Sequence, residues 1–270
     1  MSETIERVAI IGGTGVADLP GLSTEKQIME TPYGPVAVLI ADSDRFPVVF
    51  LNRHGLNREH PPHRINYRGN ITALRMLGVT RVLATNAVGS ISRALPPGSI
   101  MVIDDYLDFT SGRAATFFDG EGTGHAYTEM SAPCCPALQA RLLELAEHDG
   151  LEIHPGGTYV CTNGPRFETP AEIRMFDQLG GDVVGMTGMP EAALARELGL
   201  HYAAVAYSIN WAAGIEAQIE ILHDGISDLV HRLLGLMLAT VQSDKVAPCR
   251  CTDPLMLVTP SQKGGGIYRD

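Results

Sequence analysis

The sequence predicts an α/β protein, one domain with a central mixed, largely parallel sheet and helices on both of its faces. Two observations lead to this fold class. Continuous apolar runs, typical of strands that are buried on both faces, recur along the chain. Helical patterns lie between several of these runs, and strands that alternate with helices form parallel or mixed sheets covered on both sides.

The predicted strands begin with RVAII at residues 7–11, which ends in Gly12-Gly13-Thr14-Gly15. Similar apolar runs follow at residues 36–40, 48–51, 79–84, 100–103, 157–161, 183–186 and 202–207. The clearest helical patterns cover residues 66–77, 137–148, 170–179 and 190–198. The last two begin with a proline near the first helical position, which is where helices tolerate it.

The size of the chain allows one large domain, and two are possible. It has 270 residues, of which 45% are hydrophobic, and a chain of this length buries about three quarters of its unfolded surface. We find no repeat and no linker, so we predict a single domain over residues 1–270. Residues 110–135 lack periodicity, which indicates a functional or interface loop. Residues 246–270 have the composition of a mobile tail.

The net charge of −11 argues against a protein that binds duplex nucleic acid, but it leaves small anions open as ligands. No apolar run reaches the roughly 20 residues that span a bilayer, and the sequence MSETIERVAI lacks the features of a signal peptide. We therefore expect a cytoplasmic protein without a membrane partner.

The five cysteines do not suggest a secreted disulfide scaffold, because their number is odd and the chain is long. They are Cys134, Cys135, Cys161, Cys249 and Cys251. The Cys249-Arg250-Cys251 pair is compatible with a metal site or with a strained disulfide. Two unpaired thiols in a tail are the simpler interpretation, and we expect no metal.

The glycine-rich turn after the first strand can point backbone N–H groups and the Thr14 hydroxyl at an anion. The alternative is a plain tight turn. It does not match a dinucleotide-binding loop, because Asp18 stands where the third glycine is required, and it also lacks the lysine of a P-loop.

Arg53 and His54 follow the strand at 48–51. The arginine offers a fork of donors for phosphate, and the histidine can donate to the anion or move a proton. The alternative is a solvated basic loop. Thr187 precedes the helix at 190–198, where the helix N-terminus favours negative charge, although a simple helix cap is the alternative.

Polar groups also follow the strands at 79–84 and 202–207, namely Asn86 and the pair Ser208 and Asn210. Ligands of open α/β sheets bind at the carboxyl ends of strands. The groups together predict a phosphate site beside a site for a polar planar group. No nucleophile elbow, zinc motif or carboxylate pair is recognisable, which favours direct displacement through positioning and charge stabilisation.

The chain resembles the trimeric purine nucleoside phosphorylases, and most closely their methylthioadenosine phosphorylase branch. The resemblance runs in order from residue 8 to about residue 240, and its segments are IIGGTG (10–15), NRHG (52–55), PPHRINYRGNI (61–71), TNAVGSI (85–91), LPPGSIMVIDDYLDFT (95–110), GGTYVCTNGPRFETPAEIRMF (156–176) and GDVVGMTGMPEAALARELGL (181–200). It implies a homotrimer that uses inorganic phosphate as co-substrate and needs no metal or organic cofactor.

By position, the resemblance assigns a phosphate site to Gly12, through its main chain, and to Thr14, Arg53, His54, Asn86, Ala87 and Thr187. It places Met186 under the ribose, Phe167 against the base, and His125 of a neighbouring subunit over the 5′ end of the sugar. In the implied reaction, phosphate attacks C1′ opposite the base, and a donor near N7 receives the charge of the leaving purine. His54, Ser208 and Asn210 would be the catalytic residues.

Two departures from the family pattern indicate the substrate. Adenine-preferring members carry Asp-x-Asp where this chain has Ser208-Ile209-Asn210, and an asparagine amide can serve a 6-oxopurine. Ile221 or Leu222 stands near the place of a histidine that binds a 5′-hydroxyl, although His223 is one step away. The expected reaction converts S-methyl-5′-thioinosine and phosphate to hypoxanthine and 5-methylthioribose 1-phosphate, a step of purine salvage.

Other functions are less consistent with these residues. Within the class, the rivals are a methylthioadenosine phosphorylase and an inosine/guanosine phosphorylase. From another class, a catalytically silent nucleotide sensor would not need a phosphate site that faces C1′. A hydrolase would need a carboxylate placed to activate water, and the sequence offers no obvious candidate.

Overall fold

In a computed structural model, the chain forms an α/β domain. The structure describes residues 6–13, 16, 19, 21–43, 45–120 and 124–253, and the backbone of residues 255–258. In these residues the strands are β1 (Arg7–Gly12), β2 (Glu25–Thr31), β3 (Gly34–Ala41), β4 (Val48–Asn52), β5 (Val79–Ser90), β6 (Ile100–Ile103), β7 (Asp105–Asp108), β8 (His125–Thr128), β9 (Thr158–Cys161), β10 (Val183–Gly185), β11 (His201–Trp211) and β12 (Leu255–Val258). The helices are α1 (Tyr67–Met76), α2 (Pro136–His148), α3 (Pro170–Gln178), α4 (Gly188–Glu197) and α5 (Ile226–Val241).

Ten of the strands form one mixed sheet with β5 at its centre. The main path runs β2-β3-β4-β1-β5-β10-β9-β7, and β11 pairs with both β5 and β6. The central pairs β4–β1, β1–β5 and β5–β11 are parallel, whereas β10 meets the last residues of β5 in antiparallel register. This arrangement confirms the predicted fold class.

The two faces of the sheet are covered by different helices. In β1, Ala9 and Ile11 pack on the side of α1 and α4, while Val8 and Ile10 pack on the side of α2 and α5. Alternate residues of a strand point to opposite faces, so β1 is apolar from Val8 to Ile11 because both of its faces are buried there. This double burial explains the continuous apolar runs of the sequence.

The two strands β5 and β11 are longer than their apolar runs. They stay paired in parallel from residue 81 to residue 90 of β5, and β11 continues to Trp211. Asn86, Ser208 and Asn210 therefore lie inside strands, not after them as the sequence analysis expected. The strands end where the backbone hydrogen bonds between β5 and β11 end, and these bonds continue past the apolar runs into the polar residues.

Each predicted strand and helix has a counterpart in the structure, within a few residues at most ends. The sequence analysis missed β2, β7, β8, β12 and α5. Four of them are short or exposed strands, and β2, at the edge of the sheet, is mostly exposed and has only two apolar residues among its seven. The segment 110–135 contains β8, which pairs with β12 in a separate two-stranded sheet.

The predicted tail is only partly described. Residues 246–253 belong to the described structure, and Cys251 within them is buried. Residues 259–270 lie outside the described residues. None of the helices that the structure describes is long and apolar enough to cross a membrane.

Candidate active site

A cavity of about 260 Å³ opens at the carboxyl ends of the central strands. Segments that follow or end β1, β4, β5, β10 and β11 meet there, which is where open α/β sheets bind ligands. The described residues that line it are Gly13, Arg53, His54, Pro62, Ala87, Val88, Gly89, Phe167, Glu168, Val184, Gly185, Met186, Thr187, Ile209, Asn210, Ala212, Ala213 and Ile221.

Arg53 lines the cavity but is held by a buried network. Its Nε and Nη2 donate to the two carboxylate oxygens of Glu191 at 2.5 and 2.7 Å, and Nη1 donates to the carbonyl of Thr85 at 2.9 Å. The Tyr202 hydroxyl donates to the same carboxylate at 2.9 Å. Burial alone would lower the pKa of Arg53, but the Glu191 carboxylate outweighs it and raises that pKa, so the guanidinium stays charged.

The sequence therefore pointed to Arg53 but not to its partner. Glu191 comes from the first turn of α4 and is 1% exposed. A buried arginine requires a buried counter-charge, and this requirement was the signal that could have found Glu191. The charge of the guanidinium is already balanced inside the protein, so Arg53 is not a solvated basic loop residue.

Glycine at position 13 allows the guanidinium to approach the first turn. A Cβ at Gly13 would lie 2.9 Å from both Nη1 of Arg53 and the carbonyl oxygen of Thr85. The backbone N–H of Gly13 donates to the Thr85 hydroxyl at 3.0 Å. Gly12 ends β1 and lies against Phe50, outside the lining. Thr14 lies outside the described residues.

Asn86 and Thr187 meet beside the cavity. The Thr187 hydroxyl donates to Oδ1 of Asn86 at 3.1 Å. Nδ2 of Asn86 is buried and has no hydrogen-bond partner among the residues that the structure describes. Thr187 occupies the N-cap position of α4, but its side chain does not cap the helix. A buried donor without a partner points to a ligand that accepts hydrogen bonds.

His54 lines the cavity with its ring half-buried. Its Nδ1 lies 2.8 Å from the carbonyl oxygen of His60, and since a carbonyl only accepts, Nδ1 carries the hydrogen. Burial lowers the pKa of His54, and the neighbouring charge of Arg53 lowers it further. The ring is therefore neutral at pH 7, and its Nε2 can accept a hydrogen bond.

Phe167 and Met186 line the opposite part of the cavity. The Phe167 ring is 50% exposed and stands at the rim. Met186 packs over Gly164, whose φ of +59° suits glycine and where a Cβ would come within 2.4 Å of the Met186 sulphur. Arg113 donates to the carbonyls of Met186 and Thr162, so it ties the segments after β9 and β10 together.

Ser208 and Asn210 lie on either side of a β-bulge in β11. The register with β5 shifts between them, so Ser208 pairs with Val88 and Asn210 with Gly89. Asn210 lines the cavity, whereas Ser208 is turned away and its hydroxyl donates to the carbonyl of Asn210 at 3.4 Å. The structure thus brings Asn210 to the cavity and does not bring Ser208, because a bulge interrupts the strand's alternation.

Glu168 lines the cavity although the sequence alone did not single it out. It is buried and lines the cavity next to Phe167, and its Oε1 accepts a hydrogen bond of 2.6 Å from the Thr162 hydroxyl. Glu168 and Asn210 therefore both line the cavity. The position of Glu168 after Phe167 in a family segment was the only signal in the sequence.

Of the residues expected near the 5′ end of the sugar, one lies at the rim of the cavity and two do not. Ile221 lines the cavity and is 44% exposed, whereas Leu222 lies near Gly98 and outside the lining. His125 lies on β8, is exposed, and is not among the lining residues of its own chain. Of the two apolar candidates, only Ile221 is therefore exposed in the cavity.

The fold and the cavity define an α/β protein with a buried set of donors on one side of the cavity and aromatic, apolar and amide groups on the other. The matching family model is the phosphorylase superfamily, over residues 7–241. The chain belongs to this superfamily.

Known proteins support the same placement. The chain is 44% identical over 259 residues to the "6-oxopurine nucleoside phosphorylase" of Pyrococcus furiosus, covering 92% of this chain and 97% of the relative. It is 48% identical over 227 residues to the "Probable S-methyl-5'-thioinosine phosphorylase" of Methanopyrus kandleri, covering 84% and 86%. A solved methylthioadenosine phosphorylase from an antarctic soil metagenomic library superposes with a TM-score of 0.85 at 31% identity, covering 96% of this chain and 94% of that one.

Proposed function

We propose that the protein catalyses the phosphorolysis of S-methyl-5′-thioinosine to hypoxanthine and 5-methylthioribose 1-phosphate in purine salvage. Inorganic phosphate is the co-substrate, and neither a metal nor an organic cofactor takes part in the reaction. The observation that carries the proposal is the unpartnered buried donor Asn86 Nδ2 beside the cavity, together with a carboxylate, Glu168, and an amide, Asn210, among the residues that line it.

Phosphate binds in the part of the cavity lined by Arg53, His54, Ala87 and Thr187, with Asn86 beside it. The sequence resemblance adds the main chain near Gly12, and also Thr14, which lies outside the described residues. The free Nδ2–H of Asn86 and the N-terminus of α4 offer donors and a positive dipole end. The charge of Arg53 is already balanced by Glu191. A phosphate held mainly by neutral donors keeps its negative charge.

That retained charge is useful for the reaction. As the bond between C1′ and the purine lengthens, the ribose gains oxocarbenium character, and an adjacent anion stabilises it electrostatically. His54 accepts a hydrogen bond through Nε2, either from a protonated phosphate oxygen or from a sugar hydroxyl. Met186 packs beneath the ribose and limits its movement.

The purine lies against Phe167 between Glu168 and Asn210. Hypoxanthine presents N1–H as a donor and O6 and N7 as acceptors. The Glu168 carboxylate can only accept and is complementary to N1–H, while the Asn210 amide donates to O6 or N7. This pattern favours a 6-oxopurine over adenine, whose N1 is an acceptor and whose C6 group is a donor. Ser208, on the other side of the bulge, makes no contact with the base in this arrangement.

The 5′ end of the sugar lies toward the rim. The exposed Ile221 offers an apolar surface for a methylthio group, and Leu222 stands behind it. His125 of a neighbouring subunit covers this end, so the active form is a homotrimer. Each subunit is one domain, over residues 1–270. None of the five cysteines forms a disulfide, which fits a reducing compartment such as the cytoplasm.

A phosphorylase of inosine or guanosine is the second candidate. It is favoured by the name of the Pyrococcus furiosus relative and by His223, which follows Leu222 and would suit a 5′-hydroxyl. Both candidates share the same phosphate and base contacts. They differ only at the 5′ end of the sugar.

The reaction class is tested by omitting phosphate. We expect release of hypoxanthine from S-methyl-5′-thioinosine only when phosphate is present, with one sugar 1-phosphate formed for each base, as measured by ³¹P NMR and chromatography. Base release at the same rate without phosphate, with a free sugar as product, would identify a hydrolase and overturn the proposal.

A further inference from the structure

Four metal-binding side chains meet at the end of the molecule away from the cavity. They are Cys135, His201, Cys249 and Cys251, and their donor atoms all lie within 4.8 Å of one another. Cys135 precedes α2, His201 begins β11, and the two other cysteines follow α5. Residues so distant in the sequence converge only through the fold, so this is not a motif of one local loop.

The four donor atoms are close enough to share one ion. Cys135 Sγ lies 3.6 Å from Cys249 Sγ and 3.7 Å from Nδ1 of His201, and Cys249 Sγ lies 3.0 Å from Nδ1 of His201 and 3.2 Å from Cys251 Sγ. With Zn–S near 2.3 Å and Zn–N near 2.0–2.1 Å, a zinc tetrahedron has edges of about 3.6–3.8 Å. The two Cys135 distances match these edges, and the two shorter Cys249 contacts would widen by about 0.6 Å around an ion. Thiols are weak hydrogen-bond donors and give little reason for such clustering.

The burial of the cluster fits a closed structural site. Cys135 and Cys251 are buried, and His201 and Cys249 are half-buried. Three sulphurs and one imidazole nitrogen form a Cys₃His set, which structural zinc sites use, and soft thiolates disfavour magnesium or calcium. All four donors come from this chain, so no position is left for a substrate.

The cluster lies far from the proposed active site. His201 and Asn210 stand at opposite ends of β11, and nine residues of strand span about 30 Å. The cluster instead joins the segment after α5 to the amino end of the sheet. Cys251 is followed closely by β12, whose Val258 is paired with His125 of β8.

We propose that Cys135, His201, Cys249 and Cys251 bind a structural zinc ion. The ion fixes the segment at residues 249–251 to α2 and β11, and through β12 it anchors β8. The expectation of two idle thiols treated Cys249 and Cys251 as a pair in a tail, and only the fold brings Cys135 and His201 to them.

The test is a metal analysis of untagged protein produced with zinc in the medium and purified under reducing conditions. We expect about one zinc ion per chain, a requirement set by one closed four-ligand site. Cys249→Ser and His201→Ala should lose most of the zinc. Cys134→Ser is the matched control, because Cys134 is an adjacent buried cysteine outside the cluster, and it should keep the ion.

Wild-type protein provides a second measurement that does not depend on the variants folding. A strong chelator should lower its melting temperature, and added zinc should restore it. Protein that contains no zinc after zinc loading, or that contains another metal instead, would overturn the proposal. So would a disulfide between Cys249 and Cys251, detected by mass spectrometry of the protein as purified.

Discussion

The two halves of the cavity differ in how much of their structure is already fixed. In the half that we propose for phosphate, Arg53 is buried and is held by Glu191 and Tyr202 behind the cavity, through hydrogen bonds of 2.5–2.9 Å. In the half that we propose for the nucleoside, Phe167 and Ile221 are 50% and 44% exposed. The proposed phosphate half is therefore preorganised by the fold of one chain. The proposed nucleoside half is open at its rim, where substrate and a neighbouring subunit would cover it.

The first prediction concerns a substitution that removes the counter-charge of Arg53 in the preorganised half. Glu191→Gln keeps the shape of the side chain and an acceptor for Tyr202, but leaves the buried guanidinium without a counter-charge. We expect it to lower the free energy of unfolding by about 3–5 kcal/mol, the cost of an uncompensated buried charge. Urea denaturation followed by circular dichroism measures this change.

Glu172→Gln is the matched control for that experiment. Glu172 also forms a two-bond pair with an arginine, Arg166, but that arginine is mostly exposed. An exposed ion pair contributes about 0–1 kcal/mol, and glutamine can still serve the capping box of α3. Equal effects of the two substitutions would mean that burial of the Arg53–Glu191 pair has no special importance.

The second prediction concerns the unpartnered donor. Asn86→Asp keeps the acceptor for Thr187 and replaces the free Nδ2 donor by a charged acceptor. Hydrogen bonds to charged groups contribute about 1.5–3 kcal/mol, so the KM for phosphate should rise roughly ten- to hundredfold at 1.4 kcal/mol per factor of ten. Initial rates at varied phosphate and saturating nucleoside give the value.

Asn163→Asp serves as the control for Asn86→Asp, because Nδ2 of Asn163 already donates to the Ser111 hydroxyl, whereas Nδ2 of Asn86 is buried without a partner among the described residues. It should leave the KM for phosphate unchanged. If Asn86→Asp changes only the KM for the nucleoside, Asn86 belongs to the sugar site and the two halves of the cavity are divided differently.

The third prediction tests the bulge in β11. Asn210→Asp should shift the ratio of specificity constants from S-methyl-5′-thioinosine toward methylthioadenosine by roughly tenfold, since a mismatched buried polar group costs about 1–3 kcal/mol. Ser208→Ala should leave the ratio unchanged, because the Ser208 side chain faces away from the cavity. A larger effect from Ser208 than from Asn210 would contradict the observed register.

The sequence predicted the parts of the molecule that local patterns determine. The apolar runs located β1, β4 and the first part of β5 because these strands are buried on both faces. Glycine, arginine and threonine after the strands indicated a site at the carboxyl ends. The edge strand β2 escaped detection, because its exposed face carries charged residues that do not form an apolar run.

Relationships between distant residues could not be predicted in this way. The partner of Arg53 is 138 residues away in the chain, and the facing of Ser208 depends on a bulge that only the pairing with β5 reveals. The same limit applies to Cys135 and Cys249, which are separated by 114 residues. Each of these features follows from packing and strand register, which a local sequence motif does not determine.

The most direct test of the proposed function compares four nucleosides at saturating phosphate, namely S-methyl-5′-thioinosine, methylthioadenosine, inosine and adenosine. The cavity predicts the highest kcat/KM for S-methyl-5′-thioinosine. The margin over inosine should be about tenfold or more, the discrimination that an apolar contact at the 5′ end can supply. A preference for either adenine nucleoside would contradict the assignment of Glu168 and Asn210 to a 6-oxopurine, and a preference for inosine would contradict the role of Ile221.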